Sequence, residues 1–151
     1  MKVNKIYIFG LTTSGKSTLA TSLSKKLKIK AYSLDDIVWK KKWTERFPKE
    51  VQKRKLRKII VKKKWIIEGV HTHDWVKPVI SKADQVIFLN ISKIILIKRA
   101  WKRKNSLGQK LRLIYWVIRF GPKNYLSHKN SSKKFIEIKN IKEIDDFIKK
   151  L

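Results

Sequence analysis

Residues 8–20 read IFGLTTSGKSTLA, and within them residues 10–17 fit the phosphate-binding pattern G-x-x-x-x-G-K-[ST]. That spacing is informative only if a strand enters the loop and a helix leaves it. Residues 5–9 (KIYIF) are β-branched and aromatic, as suits a buried strand, and Gly10 ends them. Beyond the loop, Leu19, Ala20, Leu23 and Leu27 recur at helical spacing over residues 17–27. Chance matches to the pattern in a chain of this composition number roughly 0.004, so strand, glycine loop and helix together read as a phosphate site.

Each loop residue has a physical task in that reading. Gly10 and Gly15 permit backbone angles that a side chain forbids, which lets successive N–H groups turn inward around a phosphate. The helix that follows adds the positive end of its dipole. Lys16 supplies a full charge toward the β- and γ-phosphates, and the Ser17 hydroxyl is placed to ligate Mg²⁺. Thr12, Thr13, Ser14 and Thr18 are small and polar, so Gly10, Thr12, Thr13, Ser14, Gly15, Lys16, Ser17 and Thr18 are the expected ATP-binding set.

The chain has 151 residues, 42% of them hydrophobic, which suits one domain over residues 1–151 with its own core. It has no cysteine, which excludes disulfide frameworks and thiolate metal sites. No signal-peptide pattern opens it, and the longest apolar run, LIYWVI at 113–118, is too short to span a bilayer; a cytoplasmic protein is expected. A net charge of +28, from 39 basic and 11 acidic residues, implies attraction to nucleic acid, nucleotides or anionic membrane. The lysines are dispersed over every expected helix, which weakens the case for one dedicated nucleic-acid face.

Five strand-like segments (5–9, 29–34, 65–68, 85–90 and 135–139) alternate with helical ones, and apolar runs such as VIFL are typical of strands covered on both faces. That alternation predicts a three-layer α/β/α sandwich around a five-stranded parallel sheet. Helices are expected over 48–63, with Val51, Leu56, Ile59 and Ile60 inward, from the Ser92 cap to about Arg103, and over 107–120 until Gly121-Pro122. A last helix is expected after the Asn140 cap, with Ile141, Ile144, Phe147, Ile148 and Leu151 facing inward. In such sheets ligands lie beyond the carboxyl ends of the strands.

Acidic residues are scarce, so their positions are informative. Asp35 and Asp36 follow the second strand; Asp35 is suited to accept a proton from an attacking hydroxyl and Asp36 to hold Mg²⁺ through water, although helix capping competes as an explanation. Glu68 ends WIIE before Gly69, where P-loop enzymes place a second carboxylate near the metal. Arg99 and Arg103 stand four apart on one helical face and are suited to charge on a transferred phosphoryl group, against a plain solvated basic face. His71 and His73 in HTHD lack further ligands, which argues against zinc. Among the six tryptophans, Trp39 and Trp43 lie just past the acidic pair and are the candidates for ligand contact.

In this order, GLTTSGKSTLA, SLDDIVW, WIIEG, ADQVIFLN, the Arg99/Arg103 helix and FIEIKNIKEIDDFI resemble the small P-loop kinases of the adenylate-kinase-like group. The likeness is closest to the bacterial DNA topology modulation (FlaR-like) proteins and covers nearly the whole chain. It implies ATP at the P-loop, an acceptor near the acidic pair and an arginine-bearing helical lid, expected here over residues 99–130. The chain departs from that family's pattern at Glu68-Gly69-Val70-His71, where Asp-Gly-Asn-Tyr is usual, and at Asn90, where aspartate is common. It also has Lys77 and Lys82 but no arginine between residues 74 and 84.

The expectation is therefore an ATP- and Mg²⁺-dependent phosphotransferase for a small acceptor such as a nucleoside or nucleotide. Lys16, Asp35, Arg99 and Arg103 are its catalytic candidates, and Ser17, Asp36 and Glu68 its metal candidates. The alternative is a nucleic-acid-binding regulator switched by ATP. No Asn/Thr-Lys-x-Asp guanine-reading motif is present, which disfavours a GTPase.

Overall fold

A computed structural model describes residues 3–41, 44–70, 74–120 and 135–150. Its centre is a five-stranded sheet whose spatial order follows from β1 (Lys5–Gly10), β2 (Ala31–Ser33), β5 (Trp65–Glu68), β6 (Gln85–Leu89) and β7 (Phe135–Ile138). The order is β2-β5-β1-β6-β7, and every neighbouring pair is parallel. Parallel strands need crossovers, and helices supply them: α1 (Lys16–Leu27), α3 (Lys49–Ile60), α4 (Lys77–Lys82), α5 (Lys93–Lys102), α6 (Leu107–Arg119) and α7 (Ile141–Lys150). Residues 71–73, 42–43, 121–134 and 151 are outside the described residues. His71, His73, Trp43, Leu151 and the 121–130 part of the expected lid fall there.

The three central strands are apolar because helices cover both faces. Every residue of β5 and β6 is buried, as are Ile6 to Gly10 of β1. Phe9 stacks on Tyr7 and on Phe88 of β6, with ring centroids 5.5 Å and 4.8 Å apart, which ties the central pair of strands through their side chains. Leu19, Ala20 and Leu23 of α1, Leu56, Ile59 and Ile60 of α3 and Val79 and Ile80 of α4 complete the core. Register places Ile8 level with both Glu68 and Ile87, and Ser33 level with Glu68. The carboxyl ends of β2, β5 and β1 therefore share one edge, which fixes where a ligand can sit.

Several boundaries differ from expectation. The strand expected over 29–34 is confined to Ala31–Ser33, because the Ser33 hydroxyl accepts the Asp35 N–H at 3.3 Å and starts a short helix, α2 (Leu34–Val38). A small antiparallel hairpin then follows, β3 (Trp39–Lys41) against β4 (Glu45–Arg46), with the Arg46 guanidinium 4.6 Å from the Trp39 ring centre. Neither the hairpin nor α4 and the 3₁₀ turn before it, Asp74–Val76, is anticipated by the apolar periodicity. The helices expected over 48–63 and 107–120 run Lys49–Ile60 and Leu107–Arg119. Ser92 occupies the N-cap of α5 without a side-chain cap bond. Asn140 does cap α7, since its Oδ1 accepts the Glu143 N–H at 3.0 Å while Glu143 accepts from Asn140 Nδ2 and the Lys139 N–H. Of the α7 residues expected inward, Ile144, Phe147 and Ile148 pack on the core and Ile141 is exposed.

Asp84 anchors the entry to β1. Its Oδ2 accepts the N–H groups of Asn4 and Lys5, both at 2.9 Å, where the central strand begins. Replacing Asp84 with alanine strips two donors of their partner at once, and is expected to cost about 2 kcal/mol. Urea unfolding of the variant at neutral pH checks this.

Candidate functional site

The loop between β1 and α1 has the backbone that its glycines allow. Gly10 has φ 153°, Gly15 sits at the N-cap of α1 in the left-handed region with φ 98°, and Thr13 is left-handed with φ 62°. A side chain at Gly10 would place its Cβ 2.7 Å from the Leu89 carbonyl oxygen and 3.1 Å from Ser14 Oγ. Gly15 provides no side-chain cap, so the leading N–H groups of α1 are left to a ligand or solvent. Ser14 is fully buried and its hydroxyl has no hydrogen-bond partner, while the Thr13 hydroxyl donates to the Leu96 carbonyl at 2.9 Å. A loop held open this way, with uncapped amides at its rim and a buried hydroxyl unsatisfied within it, fits a phosphate chain.

Lys16, Ser17, Glu68 and Asp35 converge at the shared strand edge. The Lys16 ammonium donates to the Leu11 carbonyl at 2.8 Å. Removal from water lowers its pKa to about 8, against the opposing pull of the Glu68 and then the Asp35 carboxylates; Arg103 adds a further lowering. Part of the lysine side chain still reaches solvent, but its charged end is enclosed by protein. Glu68 is only 7% exposed, and its Oε1 accepts the Ser17 hydroxyl at 3.2 Å. A buried carboxylate bonded to the P-loop serine is a donor pair that suits a hard divalent cation.

The acidic pair divides by position on α2. Both residues lie in its first turn, behind the Ser33 cap, so capping by their own side chains is not their task. Asp35 is half-buried and acts electrostatically on Lys16, whereas Asp36 is exposed. Gly69 holds this helix close: it has φ 155°, and a Cβ there would come within 2.6 Å of Leu34 Cβ. The strand end that carries Glu68 and the helix that carries Asp35 are thus packed glycine against leucine.

Arg99 and Arg103 reach the loop from the other side. Arg99 Nη1 donates to the carbonyls of Thr13 and Ser14, both at 3.3 Å, and so braces the turn rather than standing free in solvent. Arg103 is exposed at the end of α5. Together they border a cavity of about 380 Å³ whose floor is Thr13, Ser14, Gly15 and Thr18 and whose far wall is Ile144 and Ile148 of α7. The α7 wall and Ser22 are site residues that sequence reasoning misses; the isoleucines have the same spacing as any core-facing helix, so nothing in the sequence marks the rim they form. Trp39 is half-buried in the hairpin beneath Arg46. No cluster of three metal-ligating side chains occurs among the described residues, and no described helix is long and apolar enough to cross a membrane.

No protein-family model matches this chain, and no curated protein matches it. Solved structures do. A shikimate kinase from Bacteroides thetaiotaomicron matches with a TM-score of 0.69 at 13% identity, over 99% of this chain and 96% of that one. A shikimate kinase from Acinetobacter baumannii, determined in complex with shikimate, gives 0.66 at 16% identity over 99% and 90%. A third shikimate kinase, from Aquifex aeolicus, gives 0.66 at 20% identity over 97% and 92%. At such identities the likeness establishes the fold alone, the one that these shikimate kinases share.

Proposed function

We propose that this chain is an ATP-dependent phosphotransferase that moves the γ-phosphoryl group of ATP to a small hydroxyl- or phosphate-bearing acceptor, a nucleoside or nucleotide among the candidates. The observation that carries this reading is the convergence of Lys16, Ser17, Glu68 and Asp35 at the mouth of the glycine loop. The shikimate kinases of like fold support a small acceptor.

In this reading the amides of residues 10–17 and the Lys16 ammonium hold the phosphates, and the α1 dipole adds to them. Mg²⁺ would be held by Ser17 and Glu68, with Asp36 acting through water, and when bound it neutralises charge on the β- and γ-oxygens. Asp35 orients the acceptor hydroxyl and takes its proton as the oxygen attacks the γ-phosphorus and the bond to the bridging oxygen breaks, leaving ADP. Arg103, exposed above the loop, and Arg99 meet the charge spread over the transferred group; Arg99 would exchange its carbonyl partners for phosphate oxygens. The nucleoside end of ATP takes the cavity between the loop and α7, whose size lies in the range of small-ligand sites. Of the lid expected over residues 99–130, Arg99 and Arg103 are the part assigned a role at the nucleotide.

A panel of nucleosides, nucleotides, shikimate and simple polyols, each offered with ATP and Mg²⁺, tests the assignment by coupled measurement of ADP release. At least one acceptor should raise the rate well above the acceptor-free level, and Asp35→Asn should remove that rise while ATP still binds. A flat response across the panel in protein that binds ATP counts against a kinase.

Glu68→Gln tests the metal role separately. It keeps an acceptor for the Ser17 hydroxyl but removes the charge, so the gain in nucleotide affinity that Mg²⁺ gives, read as the ratio of affinities with Mg²⁺ and in chelator, should shrink about tenfold or more. Titration calorimetry in the two buffers checks this.

The second reading, an ATP-switched nucleic-acid-binding regulator, draws on the +28 charge and on the resemblance to topology modulation proteins. It requires duplex or single-strand binding that persists near physiological salt and responds to ATP.

A further inference from the structure

The largest exposed apolar side chains are not scattered. Of the nine such residues among those described, seven lie on α5 and α6: Ile94, Trp101, Leu107, Leu111, Tyr115, Trp116 and Ile118. Only Leu113 and Val117 of α6 are buried. At 3.6 residues per turn, Leu107, Leu111, Tyr115 and Ile118 fall within about 80° of the helix circumference, opposite the buried pair. They are 53–61% exposed. Arg112 and Arg119 flank that stripe on one side and Lys110 on the other, by the same helical arithmetic. The α5–α6 hairpin is closed at both ends by its own lysines: Lys93 Nζ donates to the Ile118 carbonyl at 3.0 Å, and Lys110 Nζ lies 5.5 Å from the Trp101 ring centre.

Charge selects among possible occupants. From residue 85 to residue 136 the sequence contains no aspartate or glutamate, while α5, α6 and their connection carry nine lysines and arginines. A second copy of this chain would bring like charge to the same face. Nucleic acid would satisfy the basic flanks but leave the leucine, isoleucine and tyrosine stripe in water, because phosphate contacts need no apolar surface. An anionic bilayer satisfies both: basic side chains meet headgroups, and the apolar stripe, with aromatic rings beside it, enters the boundary between headgroups and acyl chains.

We infer that α6 is a membrane-surface anchor, a basic amphipathic helix that seats the protein on anionic phospholipid with Leu107, Leu111, Tyr115 and Ile118 immersed. The helix lies in the plane of the interface. The inference concerns a face apart from Lys16, Ser17, Glu68 and Asp35 and stands whether or not the protein is a kinase.

Co-sedimentation of the full chain with vesicles tests it. Vesicles of phosphatidylcholine containing phosphatidylglycerol should pull the protein down near physiological salt, and phosphatidylcholine alone should not. Leu111→Ser/Ile118→Ser alters two exposed positions and should reduce partitioning at least about tenfold. Its circular dichroism and ATP affinity should match the parent, which separates lost anchoring from lost fold. Equal partitioning of parent and variant would mean that charge alone binds, and overturns the inference. Failure of the parent to bind phosphatidylglycerol vesicles overturns it outright, whether accompanied by duplex DNA binding that the variant retains or by a dimer that the variant loses.

Discussion

Replacing Lys16 with methionine is expected to lower ATP-dependent transfer about a thousandfold, in line with the loss of a charge aimed at the reacting phosphates, while making the nucleotide-free protein more stable. The two effects have one origin. Folding encloses the Lys16 ammonium, and the pKa falls from 10.5 to about 8 because desolvation outweighs the Glu68 and Asp35 carboxylates. The unfolded chain thus holds this proton more tightly than the folded one, so stability rises with pH between about 8 and 10.5 and is penalised below that window. At neutral pH the penalty approaches about 3 kcal/mol. Methionine removes it but also leaves the Leu11 carbonyl without its donor, which returns about 1 kcal/mol. A net gain of about 2 kcal/mol corresponds to a Tm about 5 °C higher for a domain of this size. Urea unfolding of parent and variant across pH 7 to 10 isolates Lys16 from the other lysines, because only the difference between them carries its titration. A variant less stable than the parent at pH 7, or a constant difference across the window, shows that the lysine is not held against its solvation.

The sequence discloses the positions of the site more readily than their support. The glycine loop is legible because it constrains contiguous residues: Gly10, Gly15, Lys16 and Ser17 each do their work within one turn of chain. Glu68 is legible from the strand it ends, since a carboxylate after three large apolar residues sits at the sheet's carboxyl edge. The sequence reading gives Asp35 the acceptor and Asp36 the metal without a geometric ground for dividing them; the α2 cap at Ser33 places one where it acts on Lys16 and leaves the other exposed. The pairing of β3 with β4 is illegible for a related reason: two short segments with no alternating pattern are held by one another and by α2, through contacts such as the Phe47 N–H with the Val38 carbonyl at 2.9 Å. The wall that α7 gives the cavity depends on docking over α1, where Lys26 Nζ donates to the carbonyls of Ile148 and Lys149. A contact between residues more than a hundred positions apart leaves no local trace.

Arg99 shows how a residue can be read in the right place with an incomplete role. Helical spacing with Arg103 points it toward transferred charge. In the structure it binds the carbonyls of Thr13 and Ser14, in the left-handed part of the loop, so the same guanidinium that would meet phosphate also holds the cradle open. Both bonds come from the one nitrogen Nη1, so the loop contact alone does not require an arginine; what the planar fork adds is its fit to phosphate oxygens.

Gly10→Ala is expected to be severely damaging for a change of one methyl group. The new Cβ would stand 2.7 Å from the Leu89 carbonyl oxygen, a backbone atom of the neighbouring strand that β1–β6 pairing holds in register at Gly10 itself. No rotamer change relieves the contact, and φ 153° is unfavourable for alanine in any case. Relief requires β1 to part from β6 or the loop to roll away from Ser14 Oγ, 3.1 Å on the other side. Overpacking with backbone strain of this kind costs about 3 to 4 kcal/mol, or about 10 °C in Tm, and ATP binding should fall with it because the displaced segment is the cradle. Gly108→Ala provides the matched comparison. It lies in the first turn of α6 with nothing within 4 Å of the added carbon, so the same methyl should raise stability by up to about 1 kcal/mol through helix propensity alone. Thermal melts of the two variants, with ATP affinity measured well below either transition, separate steric exclusion at the loop from a general intolerance of glycine replacement. If Gly10→Ala melts and binds ATP like Gly108→Ala, the loop is not closed against side chains and the cradle geometry loses its physical basis.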